Sequence, residues 1–351
     1  MAGGWRPVGP DDPPPRHGTA VLAHHPADLS RPAGPDVLRD VAVGHHPSRW
    51  DGLDHGEHLL DVRRVLHVHS IAQTGVMGDQ RAAVAAVFDR AARTYDQVGV
   101  GFSRAVGSQL VSDADLGAGQ RILDVGCGRG AVLFPAAAAV GESGSVLGID
   151  LAPSMVELAA ADAAAAGLVN VHVEVMDAQE PQLDEGSFDA VLSSLVVYFL
   201  PTPLTGLLAW RRALRPGGRL AVSTFVKRED ERWSWLEDIL PTRDPRATQE
   251  AGNDSKSPFD TDASLHTLLA EAGFVDPVSR TREHIVRFAD PDQWVRWSWS
   301  HGMRMFWERM SEDEQRDARV RAEERLRVMQ AEPEGLALRM VVRYTTARAA
   351  P

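Results

Sequence analysis

The stretch ILDVGCGRGAVLF, residues 122–134, sets three glycines at alternate positions, Gly126, Gly128 and Gly130, where a short apolar run gives way to a helix-like one. Asp124 stands two places ahead of the first glycine. Glycine takes positive φ without a Cβ clash, so such a turn lets backbone amides approach a ligand at a helix N-terminus. The question for the rest of the chain is what binds there.

Outward from this turn, strand and helix patterns alternate. RILDVG (121–126), SVLGID (145–150), NVHVEVM (170–176), FDAVLSSLVV (188–197) and RLAVSTFV (219–226) read as strands, the last entered through a Pro216-Gly217-Gly218 turn. Helical patterns lie between them at 131–140, 153–168 and 203–214, the second with Ser154 and Glu157 spaced as a capping box and Gly167 as its stop. Apolar residues at helical spacing (Val84, Val87, Phe88, Ala91, Ala92, Tyr95) predict helix from residue 80 to about 112. Further on, helices are expected at 262–274 and 311–330, and strands at 279–290 and 335–349. The alternation predicts an α/β fold, a Rossmann-like seven-stranded, mostly parallel sheet with helices on both faces and a helical cap. Right-handed crossovers then place the glycine turn, Asp150, Asp177 and Ser193-Ser194 along one edge, at strand C-termini.

Residues 1–76 differ in kind. They hold nine of the thirteen histidines and nine of the twenty-two prolines, with no lysine, phenylalanine or tyrosine. No sustained apolar period runs through them, so they read as a disordered, non-structural extension ahead of a single folded domain spanning 77–351. Its core is expected at about 115–226, with cap insertions at about 227–262 and 290–332. Met77 opens an amphipathic helix and is read as the natural start. The leader's histidines lack the ordered spacing of a metal finger, and no metal site is expected.

Composition narrows the partners. Hydrophobic content of 44% and charged content of 25% are those of a soluble globular protein. A net charge of -12 speaks against a nucleic-acid footprint. No apolar run reaches the ~20 residues of a membrane span, and no signal peptide is evident. The single cysteine, Cys127, fits the cytoplasm and reads as a small buried filler. A small or apolar molecule is the expected partner, and a homodimer is compatible with the chain.

A glycine turn with an acidic residue at the end of the second strand suits a dinucleotide as well. Here the spacing is G-x-G-x-G, with Ala131 where the third dinucleotide glycine would lie, a place some dinucleotide folds also fill with alanine. Asp177 after the third strand is the added clue, since a carboxylate there can accept from an exocyclic adenine amine. LDVGCGRG (123–130), GIDLAPSMVELA (148–159), MDAQEPQLDEGSFDAVLSS (176–194) and LRPGGRLAVSTF (214–225), in that order, resemble the class I S-adenosylmethionine-dependent methyltransferases, in particular the ubiquinone/menaquinone-type small-molecule enzymes. The resemblance covers about residues 85–226, and the tail more loosely.

The resemblance implies roles. Gly126, Gly128 and Gly130 would bring backbone beside the methionine part of S-adenosylmethionine, and Asp124 would hold that end through its amine or a water. Asp150 would accept the ribose hydroxyls, Leu151 would lie against adenine, and Asp177 with the Ala178 backbone would read the adenine edge. Ser193 would offer its carbonyl to the amine, and Tyr95 would sit in a lid over the cofactor.

An activated sulfonium methyl needs a nucleophile held in line and water excluded, and a base only where the acceptor must lose a proton. Tyr198 and His301 are the catalytic candidates, Tyr198 with plain packing as its alternative. Trp294 and Trp297, three residues apart on one helical face that His301 continues, are candidates to cover a flat apolar acceptor, against core packing of an added helix pair. SSLVVYFLP (193–201) is not the Asn/Asp-Pro-Pro-aromatic motif of amino-methylating nucleic-acid enzymes. The expected activity is direct displacement of methyl onto a small hydrophobic or aromatic acceptor in specialised metabolism. The alternatives are an NAD(P)-dependent oxidoreductase and a non-catalytic S-adenosylmethionine-binding protein.

Overall fold

The structure, a computed structural model, describes residues 77–226, 230–240 and 257–351. The chain divides into two units, Met1–His58 and Leu59–Pro351, and every described residue belongs to the second. The expectations about the leader, its histidines and its disorder therefore lie outside the described residues.

Seven strands form one sheet in the order β3-β2-β1-β4-β5-β7-β6. They are β1 (Arg121–Val125), β2 (Ser145–Asp150), β3 (Val171–Val175), β4 (Phe188–Ser194), β5 (Leu214–Phe225), β6 (Phe274–Arg287) and β7 (Ala337–Ala349). The first five run parallel, and β7 lies antiparallel between β5 and β6. Strands β1 and β4 are apolar on both faces because helices cover both. The chain moves outward from β1 to β3, then returns to β4 on β1's other side. That reversal leaves a crevice beyond the ends of β1 and β4, the usual place for a ligand in such a sheet.

Ten helices are described. On one face, α2 (Phe102–Ala114) and α3 (Leu133–Val140) bury Val106, Leu110, Leu133 and Ala136 against Ile122, Val146 and Leu192. On the other, α5 (Pro203–Ala213) and the helix Asp262–Glu271 pack Leu207, Trp210, Leu265 and Leu269 on Leu123, Val191 and Leu220. The α1 helix (Met77–Ala91) and α4 (Pro153–Ala165) meet over the end of β2. The short α6 (Leu236–Ile239) precedes that Asp262–Glu271 helix, which is α7. Between β6 and β7 the chain inserts α8 (Pro291–Trp299), α9 (Arg304–Glu308) and α10 (Glu312–Gln330), the helical cap.

Four local expectations change. The helical pattern over 80–112 is two helices, broken where Asp96 and Gly99 take positive φ. Helix α4 begins at the extended Ala152 with no side-chain cap of its own, and the Ser154 amide instead donates to Asp89 of α1 at 2.7 Å. A remote carboxylate thus does what the Ser154-Glu157 box was expected to do. Strand β5 starts at Leu214, ahead of the Pro-Gly-Gly turn, with irregular pairing between Phe188 and Ala190. Strand β6 starts at Phe274, five residues early, because it pairs with β7 to that strand's last residue, Ala349.

The α2 helix sits so close to the glycine turn that a Cβ on Gly107 would lie 2.3 Å from the carbonyl oxygen of Ala131. Backbone cannot yield there as a flexible side chain can. We expect Gly107→Ala to destabilise by about 2 kcal/mol or more. Gly117→Ala, whose nearest neighbour would be at 3.6 Å, should stay within about 0.5 kcal/mol of the wild type. Urea midpoints of the two variants check this.

Candidate functional site

The turn after β1 is fastened from behind. The amides of Gly126 and Cys127 both donate to the Ile149 carbonyl, at 2.8 and 3.0 Å. All three glycines take positive φ, from +49° to +89°. At Gly126 a Cβ would also strike Val196 at 2.4 Å. At Gly128 it would meet only Tyr95, at 3.9 Å, so this glycine faces open space. That space is a small cavity lined by Tyr95, Ser103, Asp124, Gly126, Gly128 and Leu195.

Asp124 and Asp150 stand at the turn, and Asp177 lies beyond the end of β3. Asp124 is 1% exposed, and its Oδ2 has no hydrogen-bond partner among the described residues. Burial, then repulsion from Asp150, pushes its pKa well above the ordinary carboxylate value. Asp150 accepts from the amides of Gly128 and Ala152, each at 2.9 Å. Burial raises its pKa and these amides partly offset the rise. Asp177 accepts from the Gln179 amide at 2.8 Å through one oxygen and from Arg81 at 2.5 Å through the other.

Of the remaining cofactor candidates, Tyr95 lines the cavity, whereas Leu151, Ala178 and Ser193 do not. Leu151 stands at the surface just past β2, 36% exposed. The Ala178 carbonyl accepts from the Trp210 indole at 2.7 Å, which fixes the loop after β3. Ser193 is fully buried, and its hydroxyl donates to the Val125 carbonyl at 3.0 Å, tying β4 to β1. Tyr95 receives a hydrogen bond from Ser103 at 3.3 Å, and burial raises its pKa to about 12. Its hydroxyl proton therefore stays on, and the side chain lines the cavity.

Sequence reasoning missed three members of the site. Ser103 lies on α2 and touches Tyr95. Arg81 reaches Asp177 from α1. Leu195 lines the cavity with φ +58°, a left-handed residue that turns β4 into the 3-10 turn Val197–Phe199. The Asp96–Gly99 turn signal could have separated α2 from α1 and exposed Ser103. Nothing local in the sequence marks the other two.

The acceptor-side candidates lie farther out. Tyr198 is 3% exposed, packed on Phe199 and Phe225, and burial holds its phenol well above the ordinary value. His301 sits where the cap meets the lid. A Cβ on its neighbour Gly302 would lie 3.6 Å from Phe88 of α1 and 3.7 Å from Phe199. The Met303 amide donates to His301 Nδ1 at 3.2 Å, and burial lowers the ring's pKa to about 3. The neutral ring therefore carries its proton on Nε2. That atom is buried with no partner among the described residues. Trp294 and Trp297 do share one face, but they are 0% and 4% exposed. Trp294 packs with Trp233 and Trp235, and Trp297 with Phe288 and His301. Neither lines the cavity. Among the described residues no three His, Cys, Asp or Glu side chains gather as metal ligands, and no helix is long and apolar enough to cross a membrane.

Residues 122–218 match the methyltransferase domain family. Nocamycin O-methyltransferase of Saccharothrix syringae is 37% identical over 250 residues, 68% of this chain and 88% of that protein. Aklanonic acid methyltransferase DauC of Streptomyces sp. (strain C5) is 45% identical over 145 residues, 41% of this chain and 66% of that protein. A ubiquinone biosynthesis O-methyltransferase of Cereibacter sphaeroides is 33% identical over 197 residues, 54% and 72%. All three are named for methyl transfer, and the dinucleotide alternative is not favoured. A relative this similar over so much of its length shows the family, and the chain belongs to the class I S-adenosylmethionine-dependent methyltransferases.

Proposed function

We propose that this chain methylates an acidic oxygen on a small, largely apolar acceptor in specialised metabolism. The observation that carries the reading is that none of Tyr95, Tyr198 and His301 is set up to take a proton at neutral pH. Tyr95 and Tyr198 keep their protons, and His301 has its one free lone pair taken by the Met303 amide. An acceptor that is already ionised at neutral pH, a carboxylate or an acidic hydroxyl, needs no base. The relatives support oxygen as the methylated atom, since one is named a nocamycin O-methyltransferase and another acts on an acid by name.

The residues present fit S-adenosylmethionine. The partnerless oxygen of Asp124 suits an ammonium, and the open side of Gly128 lets a ligand lie against backbone. Asp150 would take the ribose hydroxyls and Asp177 the adenine amine. When bound, the cofactor supplies a methyl group already activated by its sulfonium. What the chain adds is position and dryness. Phe88, at 5.4 Å from Phe199 and 6.3 Å from Tyr95, bridges the lid to the end of β4 and excludes water from the transfer path.

The test is to incubate the full chain with methyl-labelled S-adenosylmethionine and host extract, then treat the product with alkali. A methyl ester releases label and an aryl ether retains it, and either fits. Label on nitrogen or carbon would sink the reading. With an acceptor in hand, turnover should rise with pH through the acceptor's own pKa and then level off. His301→Gln should leave that midpoint where it is, because the native ring does not titrate between pH 5 and 8.

Asp124 gives a second expectation. Its native pKa lies above the unfolded value, so stability falls as pH rises from about 4 toward the native value, where the buried oxygen must ionise. Asp124→Asn should therefore melt higher than the wild type at pH 7. It should also bind S-adenosylhomocysteine at least about tenfold more weakly, since a charged hydrogen bond of about 1.5–3 kcal/mol is lost. Melting curves and calorimetry read the two effects. Unchanged affinity would remove Asp124 from the site.

A further inference from the structure

Helix α1 is held at three points along its length. Arg81 pairs with Asp177 at 2.5 Å, Asp89 accepts from the Ser154 amide at 2.7 Å, and Arg90 pairs with Glu308 of α9, which also takes Arg304 at 2.7 Å. Arg81 and Arg90 are about 13 Å apart along the helix axis. The helix therefore runs over the site from the Asp177 loop to the cap. Its first tie differs from the other two, because it ends on a residue that the cofactor reading places at the adenine edge.

A carboxylate offers about four lone-pair positions. At Asp177 the Gln179 amide takes one on Oδ1 and Arg81 takes one on Oδ2. Two remain, enough for the exocyclic amine of adenine. Both existing bonds fix the plane and rotation of the carboxylate, and a carboxylate offers acceptors only. The pair is only partly exposed, 29% and 24%, so water screens it less than a surface ion pair. An acceptor-only group fixed in this way welcomes an amine and repels the lone pairs of a 6-oxo purine. A carboxylate free to turn or take up water would reject the 6-oxo group less.

We propose that Arg81 is a positioning residue of the cofactor site, which by holding Asp177 sets the selectivity for adenine over a 6-oxo purine. This rests on the reading that Asp177 meets the adenine edge. Arg81 touches no reacting atom. It acts through Asp177.

The experiment is calorimetry on the full chain with two probes, S-adenosylhomocysteine and S-inosylhomocysteine. The wild type should prefer the adenosyl probe by about tenfold or more, as expected where a polar group would otherwise be left badly paired. Arg81→Ala should bring the preference within about threefold, chiefly by weakening the adenosyl probe, and Arg81→Lys should restore part of it. Asp177→Asn should abolish the preference. A purely structural role for Arg81, pinning the lid, would weaken both probes alike and leave their ratio unchanged, and that result would overturn the proposal. So would a wild type that binds both probes equally. If the wild type bound neither, the cofactor assignment itself would fall and this inference with it. Circular dichroism and melting of each variant confirm that the fold is retained, and Arg81→Lys carries the test should Arg81→Ala unfold.

Discussion

The Ile149 carbonyl accepts two successive amide protons from the turn after β1, and the rest of the site is arranged by that junction. It draws the glycine turn back against the end of β2, which sets Gly128 beside Asp150. The Asp150 carboxylate then bridges the Gly128 and Ala152 amides, so two turns from two strands become one rigid piece. Only a residue without Cβ can sit at Gly126, where Val196 presses from the β4 side. The cavity is what remains when β1, β2 and β4 end side by side and their turns are bound together.

Much of this was legible in the sequence because the signals are local. Runs such as ILDV and DAVLSS are apolar on both faces, and strand C-termini carry Asp150, Asp177 and Ser193 in order. What was not legible is what depends on distant partners. Asp89 caps α4 across 65 residues, so the Ser154-Glu157 spacing pointed to a box that does not form. The helical period over 80–112 continues in register through a turn, so periodicity alone joined α1 to α2. Trp294 and Trp297 do lie on one face as their spacing indicates, but their neighbours Trp233, Trp235 and Phe288 come from other segments. Arg81 carries no motif at all. It belongs to the site only because α1 docks across α4.

The lid and the cap are parts of one covering. Phe88 of α1 touches Phe199 at the end of β4, while Arg90 engages Glu308 in the cap. Arg90 and then Arg304 hold the Glu308 carboxylate below its ordinary pKa, so these charges persist at neutral pH. Any movement of α1 must therefore disturb contacts with both the end of β4 and the cap.

The position of β7 has a further consequence, for how the chain comes to be folded in the cell. Residues 337–349 fill the gap between β5 and β6. Until they leave the ribosome, β5 and β6 each present an open edge, although the glycine turn and all its carboxylates have already been made. A nascent chain can thus assemble its ligand crevice on a five-stranded sheet while its outer half waits. During that interval the exposed edge of β5 is the surface that other nascent chains or chaperones meet first.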